Sequence, residues 1–227
     1  MGVTFASLIE ASYPVFALDE PAGHVARTLA DGGISCAPVL DDGKYAGMVF
    51  LSTILSGRKG WPTAKTSISD VELEPVPAFG LNDQLFEKLQ EVATVKGDVV
   101  PVADHEGLYA GVVSKQGILG FLAGRFHSGE GSSTLEIEVP PTGARLSELI
   151  ETIEKNDASI LSFTSWPTGV AGEGQILFFR VVSHDFFRLI LNLEKYGYLI
   201  RYHSSFPDAG YDELREKALE FIRYMDM

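Results

Sequence analysis

One cysteine, Cys36, stands among 227 residues. A disulfide framework within the chain is therefore excluded, and so is a metal centre built on several thiolates. Such sparing use of thiols suits a reducing, cytoplasmic compartment. Cations are also in short supply: 18 Lys and Arg face 31 Asp and Glu, for a net charge of −13. No basic stripe interrupts that surplus, which argues against nucleic acid as a partner. No run of about 18 apolar residues exists, so no membrane-spanning helix is expected. The opening MGVTFASLIEASYP lacks the basic-then-apolar order of a secretory signal, and Ala6 stands where a myristoylation pattern needs Ser or Thr. The length suggests one or two compact units, each large enough to need no covalent staple.

What the chain does have is a repeated phrase. Residues 36–50 read CAPVLDDGKYAGMVF, and residues 100–114 read VPVADHEGLYAGVVS. Each is an apolar run around a proline, an acidic turn with glycine, an aromatic–Ala–Gly step and a second apolar run. That pattern is a β-hairpin, with Gly43 and Gly107 placed to adopt positive φ. LSTILSG and KQGILGFLAG follow the two hairpins and space apolar residues three to four apart, as helices do. Upstream, PVFALDEPAGHVARTLADGGI gives a strand and then a helix. Val25 and Leu29 share its inner face, with Asp19 as its cap and Pro21 in its first turn. PVPAFGLNDQLFEKLQEVATVKGDVV repeats this, with Asn82 as cap and Leu85, Leu89 and Val92 as the stripe. The unit is β-α-β-β-α written twice, with a register difference of two to three residues expected around ATVKG. So small a unit buries both faces of its sheet only against another copy, so closure about a pseudo-twofold axis is expected.

Pro38, Gly43, Gly47, Met48 and Val49 are matched by Pro101, Gly107, Gly111, Val112 and Val113. On these residues, 1–126 resembles a tandem CBS-domain pair, one copy over about 1–60 and the other over about 61–126. The resemblance implies a non-catalytic regulatory module with an adenine nucleotide (AMP, ATP or S-adenosylmethionine) in clefts between the copies. It implies contacts beside the proline strands from Ala17, Leu18, Cys36 and Pro38 in one copy, and from Val99 and Pro101 in the other. After Gly-apolar-Val it wants Ser or Thr, then an Asp three residues on for the ribose hydroxyls. The first copy has Phe50 and Thr53 at these places, and the second has Ser114 and Gly117. Thr53 is left as a hydroxyl for the ribose, and Lys115 stands at a helix start where a phosphate would lie. A hydrogen bond to a charged group contributes about 1.5–3 kcal/mol. Losing two of them is expected to weaken binding by about two to four decades.

Beyond a polar linker at 127–133, LEIEV alternates as a half-buried strand does. Leu146, Leu149, Ile150 and Ile153 form a helical stripe. ASILSFTSW and QILFFRVV are strands flanking a PTGVAGEG hairpin. Ser183 is expected to cap a second helix with the stripe Phe186, Leu189, Ile190 and Leu193, stopped by Gly197. YLIRYH is a fourth strand, so the order over 134–203 is the β-α-β-β-α-β of a ferredoxin-like unit. With Gly143 after the first strand and Asn156 closing the helix, this part is similar to an ACT domain. That resemblance implies amino-acid binding around Pro141, Thr142, Gly143, Ala144, Arg145 and Leu146. PPTG replaces the acidic-Xaa-Pro-Gly usual at that turn. Residues 204–227 read as a tail ending in an amphipathic helix.

The order CBS–CBS–ACT resembles the acetoin-utilisation-type CBS–ACT proteins of bacteria. The fold expected is therefore α+β: a CBS pair, a ferredoxin-like ACT domain and a C-terminal helix. The function expected is cytoplasmic ligand sensing without catalysis, in a homodimer that a small-molecule effector addresses. Two alternatives stand beside it: an amino-acid sensor acting through the ACT-like part, and a dimeric scaffold with degenerate sites. Neither a catalytic residue nor a metal site is expected. His184 and Asp185 suit a helix first turn, Cys36 suits a packed thiol, and the remaining histidines are scattered.

Overall fold

The computed structural model describes residues 2–56, 66–129, 131–141, 145–169 and 174–204. The expected C-terminal helix falls outside these residues, as does the glycine loop between the second and third strands of the later part, save at the loop's two ends. Contacts divide the chain into two compact units, Met1–Phe121 and Leu122–Met227. Among the described residues no helix is long and apolar enough to cross a membrane.

The first unit opens with β1 (Phe16–Ala17), α1 (Ala22–Asp31), β2 (Cys36–Asp41), β3 (Lys44–Phe50) and α2 (Leu51–Leu55). The series then recurs as β4 (Phe79–Gly80), α3 (Leu85–Thr94), β5 (Val99–Ala103), β6 (Tyr109–Ser114) and α4 (Lys115–Arg125). Each series makes a three-stranded sheet, β1-β2-β3 or β4-β5-β6, with a parallel pair followed by an antiparallel one. The β-α-β-β-α unit is therefore present twice.

The two copies keep a tighter register than the sequence suggested. Phe16 pairs with Val39 and Phe79 with Val102, an offset of 63 in both members. The helices Ala22–Asp31 and Leu85–Thr94 obey the same offset at both ends, so nothing slips around ATVKG. Within these strands and helices the one extra residue lies in the second hairpin. Asp42 (φ 46) and Gly43 (φ 79) make a two-residue turn in which both residues need positive φ. The other hairpin uses a longer loop, in which Asp104 Oδ1 accepts from the amides of Glu106 at 2.8 Å and Leu108 at 2.9 Å.

The repeated Tyr-Ala-Gly is a β-bulge. Val39 pairs with Gly47 and Leu40 with Tyr45, leaving Ala46 between them. Val102 with Gly111 and Ala103 with Tyr109 leave Ala110 in the same way. Both glycines hold positive φ, 156 and 145, and an extra residue with local twist is what a bulge inserts.

The stretch before each copy crosses to the other. Phe5 and Ala6 donate to Asp83 O and Leu81 O, at 3.2 and 3.0 Å. Ile68 and Ser69 donate to Glu20 O and Leu18 O, at 2.9 and 2.8 Å. Phe5 is fully buried and stacks on Phe79 with ring centroids 4.9 Å apart, while Ile68 enters the core of the first copy. These leaders also explain why neither Asp19 nor Asn82 caps a helix, contrary to expectation. The first helical amides are taken by leader carbonyls: Ala22 N by Thr66 O at 2.8 Å, Leu85 N by Val3 O at 2.9 Å. The carboxylates just ahead of the helices turn back instead to the strands, Glu20 to Ala17 N at 3.0 Å and Asp83 to Gly80 N at 2.9 Å.

The copies meet along Cys36, Met48, Phe50, Val76, Val99 and Val112, all buried. A reciprocal pair of bonds ties the hairpins: Tyr45 N to Gly107 O at 3.3 Å and Tyr109 N to Gly43 O at 3.1 Å. The expected internal symmetry is thus written in matched hydrogen bonds as well as in topology.

The second unit contains β7 (Ser133–Val139), α5 (Leu146–Lys155), β8 (Ala158–Pro167), β9 (Gln175–Ser183), α6 (Phe186–Lys195) and β10 (Leu199–His203). The sheet order is β10-β7-β9-β8, antiparallel at each hydrogen-bonded neighbour. This is the ferredoxin-like split unit. β7 alternates buried and half-buried residues along its whole length, and both helices cover its buried face. Of the α5 stripe, Leu149 and Ile153 are buried, Ile150 is partly so and Leu146 stays 39 % exposed. In α6 the whole stripe is buried. Its cap is Asp185 rather than Ser183: Asp185 Oδ1 accepts from Arg188 N at 2.9 Å, and Ser183 Oγ accepts only from Asp185 N, at 3.3 Å. Asn156 does close α5, and Gly197 follows α6 at φ 85. Arg180 on β9 holds the chain that enters this unit, donating to His127 O at 3.2 Å, Gly129 O at 3.3 Å and Ser132 O at 3.1 Å.

Candidate functional site

The first unit has a cleft of about 600 Å³ lined by Glu10, Tyr13, Gly33, Ile34, Ser35, Asp98, Val99, Ser114, Lys115, Gln116 and Gly117. Four chain segments build it. The leader of the first copy is pinned beside β6 by Glu10 N, which donates to Val112 O at 2.8 Å. Ser35 and Asp98, equivalent positions of the two copies, face each other with Ser35 Oγ donating to Asp98 Oδ2 at 2.9 Å. The fourth segment is the step from β6 into α4.

That step carries the Ser114 hydroxyl, which accepts from Gly117 N at 2.9 Å and donates to Glu10 Oε1. Ser114 thereby serves the first turn of α4 and orients the Glu10 carboxylate at once. A Cβ placed on Gly117 would lie 3.4 Å from Glu10 Oε1 and 2.9 Å from Ser114 Oγ. The Glu10 carboxylate therefore stands in the space that a side chain at 117 would enter. Lys115 is already engaged: its amide donates to Asp98 O at 2.8 Å, and Nζ donates to Val95 O at 2.6 Å. Tyr13 donates its hydroxyl to Cys36 O at 2.8 Å, and burial, with Cys36 nearby, raises its pKa.

The matching place in the first copy is filled. Phe50 stands where Ser114 does, 6 % exposed, with Lys96 Nζ 4.6 Å above its ring. Glu74, the counterpart of Glu10, pairs with Lys96 at 2.6 Å. A Cβ on Gly97 would approach Phe50 to 3.3 Å and Cys36 Sγ to 2.7 Å, so glycine is required where the chain passes over this ring.

Of the nucleotide candidates, Val99, Ser114 and Lys115 share the open cleft. Ala17 and Leu18 line a different cavity, of about 630 Å³, with Asp19, Glu20, Asp41 and Asp42. Cys36, Pro38 and Pro101 are buried within strands, and Thr53 lies on α2. Sequence reasoning missed Glu10, Tyr13, Ser35 and Asp98. The signal was available: Glu10 and Glu74 are related by the repeat, as are Ser35 and Asp98.

In the second unit a cavity of about 260 Å³ is lined by Pro141, Arg145, Leu146, Ser165, Gln175 and Tyr198 among others. It brings together three of the amino-acid candidates. Thr142, Gly143 and Ala144 lie outside the described residues. Among the described residues no group of three His, Cys, Asp or Glu is arranged to hold a metal.

These features can be set beside known proteins. Residues 7–60 match the family model of the CBS domain. Among solved structures, a CBS domain pair/ACT domain protein from Thermotoga maritima is 16% identical, over 54% of this chain and 98% of that one, with a TM-score of 0.48. A CBS domain-containing protein of unknown function from Bacillus anthracis is 19% identical, over 54% and 94%, with a TM-score of 0.46. CbpB in complex with c-di-AMP is 21% identical, over 56% and 88%, with a TM-score of 0.47. No curated protein matches.

Proposed function

We propose that this chain is a non-catalytic regulatory protein that senses an adenine-containing ligand in the cleft of Glu10, Ser35, Asp98 and Ser114. In this reading residues 1–126 are a CBS pair, 127–133 a linker, 134–203 an ACT-like module and 204–227 a tail. The observation that carries the proposal is the asymmetry of the two equivalent places: one is plugged by Phe50, the other stays open and lined with hydroxyls and carboxylates. A merely structural repeat has no reason to leave polar groups converging on a cavity of this size, and pockets with few convergent polar groups are where ligands bind. Occupancy would tie together the four segments that line the cleft. The reading includes a cytoplasmic homodimer, which light scattering at micromolar concentration tests; a monomer would remove that part.

A thermal-shift panel tests the ligand. A compound present at 100 times its Kd stabilises by about 2.7 kcal/mol. Stabilisation by adenosine, AMP, ATP or S-adenosylmethionine is expected, and its loss in Ser114→Ala assigns it to this cleft. A second reading rests on the cavity of the second unit. Arg145 is exposed there beside Ser165 and Gln175, groups that suit the carboxylate and amine of a free amino acid. Stabilisation by amino acids alone, abolished by Arg145→Ala, would select that reading. Silence from every compound would leave a scaffold without a small-molecule ligand.

A further inference from the structure

We infer that the open cleft takes an uncharged or cationic ribonucleoside, a vicinal diol without phosphate, and that Glu10 is the residue that grips the diol. The inference rests on the cleft being a ligand site, as proposed above. Its own evidence is the distribution of charge and of spent hydrogen-bond donors. A carboxylate accepts two adjacent hydroxyls well, because both of its oxygens are acceptors. Glu10 is held ready for that role: its backbone is pinned to Val112 and one oxygen receives Ser114. It reaches the cleft from outside the β6–α4 step and stands over Gly117, where no side chain competes.

The same wall is poor at holding phosphate. Glu10 and Asp98 both line it, and Lys115 is the only cation among the described lining residues. That ammonium is bonded to Val95 O at 2.6 Å, turned to the backbone. Two of the donors at the start of α4 are spent too, Lys115 N on Asp98 O and Gly117 N on Ser114 Oγ. A phosphate would meet two carboxylates, compete with Val95 O for the one ammonium and find those two amides already bonded. A nucleoside, or one bearing a positive sulfonium or amine, meets no such opposition.

Calorimetric titration of the whole protein with adenosine, S-adenosylmethionine, AMP and ATP tests this. Adenosine or S-adenosylmethionine should bind at least tenfold more tightly than AMP, and ATP should be weaker still. Glu10→Gln should weaken adenosine by about tenfold, as loss of a charged acceptor does, and should narrow its lead over AMP. The double variant Glu10→Ala, Gly117→Asp should recover adenosine binding, since the new carboxylate enters the vacated space. AMP or ATP binding as tightly as adenosine would overturn the inference and leave the cleft as a nucleotide site. Absence of binding by all four, or binding indifferent to Glu10, Ser114 and Asp98, would overturn the inference and the cleft reading together. Asp98→Asn, which should also raise AMP relative to adenosine, keeps the test open if a Glu10 variant unfolds.

Discussion

Replacing Gly111 by alanine should destabilise the first unit far more than the same change at Gly107, although both glycines hold positive φ in one hairpin. At Gly107 the φ of 81 is the only obstacle, because an added Cβ would have nothing within 4 Å. The backbone term for an L-residue there is roughly 1–2 kcal/mol. At Gly111 the φ is 145, and an added Cβ would lie 2.6 Å from Ile9 Cγ2. An unusual backbone costs about 1–3 kcal/mol, and overfilling a packed site adds about 1–3 kcal/mol. Gly111→Ala should therefore lose about 2–6 kcal/mol, about two to three times the loss at Gly107. Ile9 lies in the leader whose Glu10 amide bonds Val112, so relief would push that leader off β6. Two measurements follow: calorimetry of the first unit's transition, at roughly 4 °C per kcal/mol, and hydrogen exchange over residues 2–10, which should quicken. Adding Ile9→Ala to Gly111→Ala should return part of the loss, since contacting residues couple by about 0.5–3 kcal/mol. Equal losses at 107 and 111, with Ile9→Ala purely additive, would refute the claim that the crossed leader is why this glycine is needed.

Three further outcomes are expected. Phe5→Ala, which empties a fully buried place stacked on Phe79, should cost about 3–5 kcal/mol in chemical denaturation. Asp185→Ala should cost about 1 kcal/mol in the second unit's transition and Ser183→Ala much less, the reverse of what the sequence alone suggests. Burial pushes Tyr109 up to about 12 and raises Tyr13 and Tyr45 as well, so these phenols hold protons that the unfolded chain releases near pH 10. Their contribution to stability is complete below pH 10 and is lost as pH climbs towards 12, because the unfolded state then binds fewer protons. Absorbance at 295 nm should show late-titrating tyrosines in the native protein, and Tyr109→Phe should flatten the alkaline loss.

Much of the fold was legible because its signals are local. Asp42-Gly43 between two apolar runs specifies a two-residue hairpin, and the Phe186, Leu189, Ile190, Leu193 stripe specifies a buried helix face. The alternation of LEIEV placed β7 and its inner face. The helix starts were misread because their partners are remote in sequence. Asp19, Asn82 and Ser183 are all good caps by residue type. Ala22 and Leu85, however, are served by carbonyls of Thr66 and Val3, and α6 is served by Asp185. The register was misjudged for a related reason. The residues look dissimilar around ATVKG, while the extra residue sits in the hairpin loop, where length is cheapest to change.

The candidate site was only half legible, and the crossed leaders are the cause. A motif read along one strand and helix finds Ser114 and Lys115 and reports a missing acid at Gly117. It cannot find Glu10, which lies over a hundred residues earlier and arrives because the first leader pairs with the second copy. The absent side chain and the distant carboxylate are one fact seen from two ends: glycine at 117 leaves the room that Glu10 occupies. The first copy shows the opposite settlement, with Glu74 neutralised by Lys96 above an inserted Phe50. A duplication with exchanged leaders therefore offers each cleft a residue from outside its own motif, and here one cleft was filled while the other stayed open.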